Sequence, residues 1–445
     1  RQRQMCIRDS LESVAALDYP QDRLEIQILD DSTDDTTEQC YRKVEELKSR
    51  GFDAVCIHRT DRTGFKAGAL EAATKVAKGE FLLILDADFV PEPDLLQKTI
   101  HFFTDENVGL VQTRWGHINR EYNLLTRIQG MYLDGHFAME QTARNRSGRF
   151  FTFNGTAGIW RKYVIGDAGG WSHDTLTEDM DLSYRVQLKG WRFIYLNDVV
   201  TPAELPVDMD GFKSQQHRWT KGSIQVCQKI LLDIWRSNAP LKAKVEATTH
   251  LTCNYSYLLL ALLCFLVYPI CTQRIPENET VFMWFVNVAL FFMTSVAVCI
   301  FYMSAQIVVR PKSWWKELPY LPLLLTLSVG MAVNNAKAVL EAIFGHQSAF
   351  VRTPKYGVDR KEDRRHVSQL KRNGYRAIKS VVIPVLEIAC GTFFLNLIII
   401  MIRQGHYLSP ILMIPFLGFY YTGFCSLGRM ISNLLPAKQT AKAKN

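Results

Sequence analysis

The chain has 445 residues, more than one ordinary domain needs, and 48% of them are hydrophobic, ample for a sizeable core. Its net charge is +8, with the basic residues gathered at 308–318, 351–379 and 437–444, each beside an apolar run. That placement flanks a membrane and lacks the stripe of a duplex reader, which argues against nucleic acid as a partner. Ten cysteines without a C-x-x-C pair argue equally against a disulfide framework or zinc site, leaving buried thiols in a reducing compartment.

The opening RQRQMCIRDS (residues 1–10) has neither strand alternation nor a helical stripe, and no signal peptide is visible. LESVAALDYP then reads as the tail of an amphipathic helix ending before a proline. A nucleotide-binding α/β domain needs a strand before such a helix. A missing strand, alone or together with a preceding membrane helix, is therefore expected here. Strand, helix, strand and helix follow at 24–31, 33–51, 53–60 and 64–79, and EFLLILDADFVPEP (80–93) reads as a fully buried strand. This alternation predicts an α/β domain over 11–205 with a mostly parallel sheet and ligands at the strand C-termini.

Past residue 248 the pattern changes. The segments 249–271 and 281–303 are long enough to span a bilayer and carry no charge; 380–402 and 407–432 qualify with Glu387 and Arg429. The segment 318–344 is apolar in its first half and amphipathic in its second. If it lay in the interface, every basic loop and the basic tail (433–445) would share the side of the catalytic domain, as the positive-inside rule favours. The expectation is a cytosolic domain, interfacial helices at 206–248, four spans and one interfacial helix in a multi-pass membrane protein.

Five constellations carry candidate chemistry. Asp30 and Asp31 in LDDSTDD end a strand and could recognise a nucleoside, or could belong to a helix-capping cluster in which Ser32, Thr33 and Asp34 are good caps. His58, Arg59, Arg62 and Lys66 lie around glycines before a helix, suited to phosphate or to a solvated loop. Asp86 and Asp88, two residues apart after a hydrophobic strand, call for a cation, in Mg²⁺ or Mn²⁺ fashion, bridging carboxylate and diphosphate. Glu178, Asp179 and Asp181 open a helix, where they could cap with Thr177 or supply a general base. Gln215, Arg218 and Trp219 share one helical face, offering an apolar floor for a sugar and a planar charged fork for a diphosphate. The bland alternative is a lipid-facing interface helix, and Lys213 and Lys221 are read as headgroup contacts.

In this order, LDDSTDD, DAD, TED and QQHRW resemble the D, D, D, Q-x-x-R-W signature of processive family 2 inverting glycosyltransferases, which include cellulose synthases and cellulose-synthase-like mannan synthases. FNGTAGIWRK (153–162) is similar to their acceptor-side loop, and FVRTPKYG (350–357) to their gating loop. The resemblance implies a nucleotide-sugar-binding glycosyltransferase A-type fold followed by a helical membrane domain. Asp30, Asp31, Lys66 and Asp86 would hold the nucleotide sugar, UDP-glucose or GDP-mannose. Asp88 and Asp86 would hold Mg²⁺ or Mn²⁺, and Asp179 beside Glu178 would act as base. Gln215, Arg218 and Trp219 would serve the leaving diphosphate and acceptor, Asn154 and Gly155 the acceptor side. Phe350, Val351, Arg352, Thr353 and Lys355 would form the gating loop. The implied product is a β-linked polysaccharide coupled to export, with Glu387 lining or bracing the exit path or snorkelling toward the interface. A single-sugar glycolipid synthase and an inactive scaffold subunit of an export complex are the rival readings.

Overall fold

The computed structural model describes residues 10–272, 281–347, 353, 355–357, 381–403 and 410–434. The alternation legible in the sequence forms β1 (Glu25–Asp30), α1 (Thr36–Ser49), β2 (Asp53–His58), α2 (Phe65–Val76) and β3 (Phe81–Ile84). Then come β4 (Val108–His117), α3 (Leu124–Asp134), β5 (Gly158–Arg161), α4 (Glu178–Leu188) and β6 (Arg192–Ala203). β1 and β2 pair in parallel, with Asp30 opposite His58. The second sheet has the order β3-β5-β4-β6. There β4 and β6 are parallel, whereas the short β5 runs antiparallel to both its neighbours.

The sheet is thus mixed, and among the described residues it comes in two pieces. β1 and β3 each keep one unpaired edge, and residues of both line the same cavity. The expectation of a fully buried strand at 80–93 is corrected accordingly. β3 covers only Phe81–Ile84, its residues are half-buried, and Asp86 and Asp88 follow it in a turn. A strand whose outer edge faces a cavity leaves part of each side chain accessible.

Behind the second sheet lies an aromatic core of Phe151, Phe153, Trp160, Leu182 and Phe193. Edge-to-face contacts of Trp160 with Phe153 at 5.5 Å and Phe193 at 5.4 Å stiffen the platform carrying β5 and α4. The long α5 (Met209–Arg236) follows, its first turn capped by the Asp208 carboxylate accepting from Gly211 N at 2.9 Å.

Next are α6 (Leu241–Thr252), α7 (Ser256–Thr272), α8 (Val281–Val309), α9 (Leu321–Gly330), α10 (Ala332–Ile343), α11 (Val382–Arg403) and α12 (Pro410–Leu434). Among the described residues, Leu241–Pro269, Trp314–Ile343 and Val382–Arg403 are long and apolar enough to cross a membrane. The segment expected at the interface, 318–344, coincides with the second of these up to Ile343. It divides at Met331, between α9 and α10. Leu259 and Phe265 of α7, Ile300 of α8 and Val382 of α11 are exposed.

Candidate active site

A cavity of about 810 Å³ runs along β1 and β3 and extends past their C-terminal ends. It is lined by Asp30, Asp31, Lys66, Asp86, Asp88, Asn154, Gly155, Glu178, Asp179, Gln215, Arg218, Trp219, Thr353 and Lys355, which are fourteen of the residues singled out from the sequence. Phe350, Val351 and Arg352 lie outside the described residues. The remaining motif residues, distant in sequence, therefore meet in one place.

The two aspartates after β1 are held by the fold. Asp31 receives both arms of Arg59, Nε at 2.9 Å and Nη2 at 2.6 Å. The Oδ2 of Asp30 accepts from Thr37 Oγ1 at 2.7 Å and stands 2.7 Å from His58 Nδ1. Burial pushes the Asp30 pKa up, but these bonds and those from Ser32 outweigh it and hold the carboxyl below its usual range. Capping of α1 falls to Asp34, whose Oδ1 accepts from Thr36 N at 3.1 Å, while the bonds of Asp30 and Asp31 go to other partners. His58 and Arg59 are thereby taken from the expected phosphate-facing set, and of its four members only Lys66 lines the cavity.

Lys66 is the cationic centre of the site. Its Nζ lies 2.5 Å from Asp86 Oδ1 and donates to the Gly155 carbonyl at 2.9 Å. Burial lowers its pKa, but Asp86, Glu178 and Asp179 outweigh that and hold it above the usual lysine range. Asp86 N donates to Thr156 Oγ1 at 2.9 Å, which seats the turn against the acceptor-side loop. Asp88 pairs with Lys355 Nζ at 2.8 Å. Each member of the D-x-D pair thus already needs a cationic partner, and both offer only carboxylate oxygens, the donors a hard divalent ion takes. The pair fits Mg²⁺ or Mn²⁺. Among the described residues no group of three or more His, Cys, Asp or Glu gathers as a metal site, so substrate oxygens would have to complete the shell.

Asp179 stands one residue into α4, where the capping alternative fails because Thr177 makes no side-chain cap bond. Its Oδ1 accepts from Met180 N at 2.8 Å. Gly155, with φ +79°, crosses directly beneath it; a Cβ there would stand 3.0 Å from Asp179 Oδ2 and 3.6 Å from Lys66 Nζ. Burial first, then the neighbouring Glu178 carboxylate, pushes the Asp179 pKa up to about 7. Glu178 is raised too, chiefly by burial. A carboxyl poised near neutrality beside a cavity has the profile of a general base. Asp181, by contrast, is fully buried and paired with Arg185 at 2.7 Å, a structural role.

α5 forms the opposite wall. Gln215, Arg218 and Trp219 face the cavity as their spacing predicts, with Trp219 against the aromatic core and 6.5 Å from the Trp115 ring. Gln225 on the same helix accepts from Leu176 N at 2.9 Å, tying α5 to the loop before α4. The reading of Lys213 and Lys221 as headgroup contacts is corrected, since each is only 1% exposed. Lys213 Nζ lies 2.5 Å from Glu387 Oε2 of α11, and Lys221 Nζ 3.1 Å from Glu341 Oε2 of α10. Glu387 is fully buried in this pair, which removes the snorkelling alternative and leaves it as a brace.

Sequence reasoning missed Glu204, at the junction of β6 and α5. Its Oε1 accepts from Tyr356 N at 2.8 Å and its Oε2 from Gly357 N at 2.9 Å, while Lys355 donates to its carbonyl. Burial pushes its pKa up to about 7. An acid two residues before a proline reads as a loop residue, and only its partners 151 to 153 positions away reveal the clasp.

Comparison with known proteins matches residues 1–222 to the family described as Glycosyltransferase like family 2. Residues 1–222 are a family 2 glycosyltransferase domain. The chain is 41% identical over 251 residues to glucomannan 4-beta-mannosyltransferase 1 of Oryza sativa subsp. japonica, covering 55% of this chain and 48% of that protein. It is 44% identical over 233 residues to glucomannan 4-beta-mannosyltransferase 2 of Arabidopsis thaliana, covering 51% and 44%. The chain thus matches about half the length of these curated relatives. Among solved structures, mannosyltransferase PcManGT from Pyrobaculum calidifontis, in complex with GDP-Man and Mn²⁺, has the same fold. The TM-score is 0.50 at 19% identity, over 77% of this chain and 85% of that one.

Proposed function

We propose that the protein is a membrane-embedded inverting hexosyltransferase that extends a β-linked polysaccharide from a nucleotide sugar, with a mannosyl donor, GDP-mannose, in first place. The observation that carries this is Asp179, raised to about 7 in a cavity walled by Lys66, Asp86, Asp88 and the Gln215–Trp219 face. The mannosyl assignment draws on the two glucomannan 4-beta-mannosyltransferases.

Asp179 takes the proton from the terminal hydroxyl of the acceptor. That oxygen bonds to the anomeric carbon from the face opposite the diphosphate as the carbon–diphosphate bond breaks, so an α-linked donor yields a β-linked product. Lys66 and Arg218 meet the negative charge that develops on the leaving diphosphate, where fixed cations are worth most. Asp86 and Asp88 would hold Mg²⁺ or Mn²⁺, which supplies further charge neutralisation at the diphosphate when bound. Lys355 pairs with Asp88, which supports a donor-side place for the described part of the gating loop. Trp219 supports the acceptor sugar beside Asn154 and Gly155. Four spans, α7, α8, α11 and α12, carry the product away from a cytosolic catalytic domain, with α9 and α10 packed between them and α5.

Membranes carrying the protein, assayed with a panel of sugar nucleotides, test this. GDP-mannose is expected to give the highest incorporation into a product whose length grows with time. A product bearing one sugar on a lipid, or incorporation from UDP-glucose alone, would overturn the polymer or the donor assignment respectively.

A further inference from the structure

Asn154 is gripped from two sides by a wide turn of helix. After α3 the chain continues as a π-helical turn, Gly135–Gln141. Such turns are rare and concentrate at functional sites. Here the turn is seated against α8: a Cβ on Gly135 would lie 2.8 Å from a Tyr302 ring carbon and 2.9 Å from one of Phe301.

Two of its side chains reach the same amide. Gln141, fully buried, donates from Nε2 to Asn154 Oδ1 at 2.8 Å and to the Thr152 carbonyl at 2.8 Å. His136 Nε2 lies 3.2 Å from Asn154 Nδ2, and His136 Nδ1 lies 3.0 Å from Glu140 Oε2. The donor and acceptor inventory closes in one way. The amide oxygen accepts from Gln141, so the amide nitrogen must donate to His136 Nε2. The His136 proton is then on Nδ1, where Glu140 accepts it. One amide hydrogen of Asn154 has no partner among the described contacts, and Asn154 lines the cavity next to Gly155 and Asp179. Glu140 is itself braced by Arg144 at 3.4 Å, whose Nε binds Glu246 of α6 at 2.6 Å.

We propose that His136 is a positioning residue of the transfer reaction. It holds the Asn154 amide so that the remaining N–H donates to a hydroxyl of the acceptor sugar beside Asp179. The assignment rests on the acceptor-side reading under Proposed function. The ligand class is a hydroxyl-rich sugar terminus, recognised by a neutral donor.

The test uses the full chain in membranes with GDP-mannose and a β-linked manno-oligosaccharide. His136→Phe keeps a ring but removes the acceptor atom. It is expected to raise the acceptor KM roughly three- to tenfold, the worth of one hydrogen bond, while the donor KM stays put. His136→Gln, whose amide oxygen can accept, should recover most of that loss. In a cycle with Asn154→Leu the two effects should fall short of multiplying, because both remove one contact. An unmoved acceptor KM, an equal rise in donor KM, or fully multiplicative effects would overturn the proposal. Glu140→Gln keeps an oxygen that can accept from His136 Nδ1 but weakens the tautomer lock along with the Arg144 pair, and should still raise the acceptor KM about twofold; no rise there overturns it as well. Full turnover in Asp179→Asn would instead defeat the reading on which this one rests.

Discussion

Replacing Asp179 with Asn should abolish transfer and stabilise the protein at the same time. The carboxyl pKa is raised from 3.8 to about 7. That shift corresponds to roughly 4 kcal/mol against ionising it in place. Since the side chain keeps some access to the cavity, about 2–4 kcal/mol is the expected gain from an uncharged isostere at high pH. The sign follows from linkage. The folded state holds the proton at pH values where the unfolded state has released it, so stability falls as pH rises from about 4 to about 7. Below that window both states are protonated and the variant should gain nothing; above it the gain should be complete.

Catalysis runs the other way. Wild-type transfer should rise with pH through about 7 as Asp179 ionises, and loss of the base should cost roughly 10²–10⁴-fold. Thermal unfolding of wild type and variant at pH 4, 6 and 8, beside turnover measurements, checks both halves. A variant no more stable than wild type at pH 8, or one with appreciable turnover, would refute the reasoning. Retained nucleotide binding in the variant excludes a trivial loss of fold.

Other residues give sharper, separate readings. Arg218→Ala should lower kcat about 10²-fold while the protein still inserts in membranes at wild-type levels, since a fixed cation acts on the charge that develops during transfer. Gly155→Ala must carry a side chain at φ +79° and push a methyl against Asp179, so turnover should fall with a stability loss of about 1–2 kcal/mol, read by activity and thermal shift. Lys213→Met leaves Glu387 buried without its cation and should cost about 3–5 kcal/mol; adding Glu387→Leu should restore most of it, as detergent-solubilised unfolding would report.

Much of the site was legible because it is written in short local motifs. Asp86 with Asp88, and Gln215 with Arg218 and Trp219, are defined by spacings of two to four residues that fix which side chains share a face. The strands and helices up to β3 were legible for the same reason, through hydrophobic period and glycine stops. What escaped was non-local. β5 is a four-residue strand, too short to show alternation, and its antiparallel insertion depends on β3 and β4 rather than on its own residues. Lys213 and Lys221 look like surface cations because their partners, Glu387 and Glu341, lie 174 and 120 residues away. Nor does the sequence show that Asp31 is held by Arg59, 28 residues on, which donates to both its oxygens.

The two buried lysines explain how the site is kept in register with the apolar helices that follow it. At about 100° per residue along α5, Lys213 and Lys221 fall within roughly 80° of each other, Gln215 and Trp219 fall on the opposite side of the helix, and Arg218 lies between, about 60° from Lys221. One face of a single helix therefore carries the cavity wall, and the other carries ion pairs to α10 and α11. Buried pairs of this kind add little net stability over apolar residues of the same size, but a misplaced one is severely penalised. Rotating α5 by one residue would strip both lysines of their carboxylates and turn Trp219 away from the cavity together. The ionic contacts thus select one rotational setting of the helix, the setting in which Gln215, Arg218 and Trp219 face Asp179. Charge placed on the face of α5 that packs on α10 and α11 is what fixes the geometry on its catalytic side.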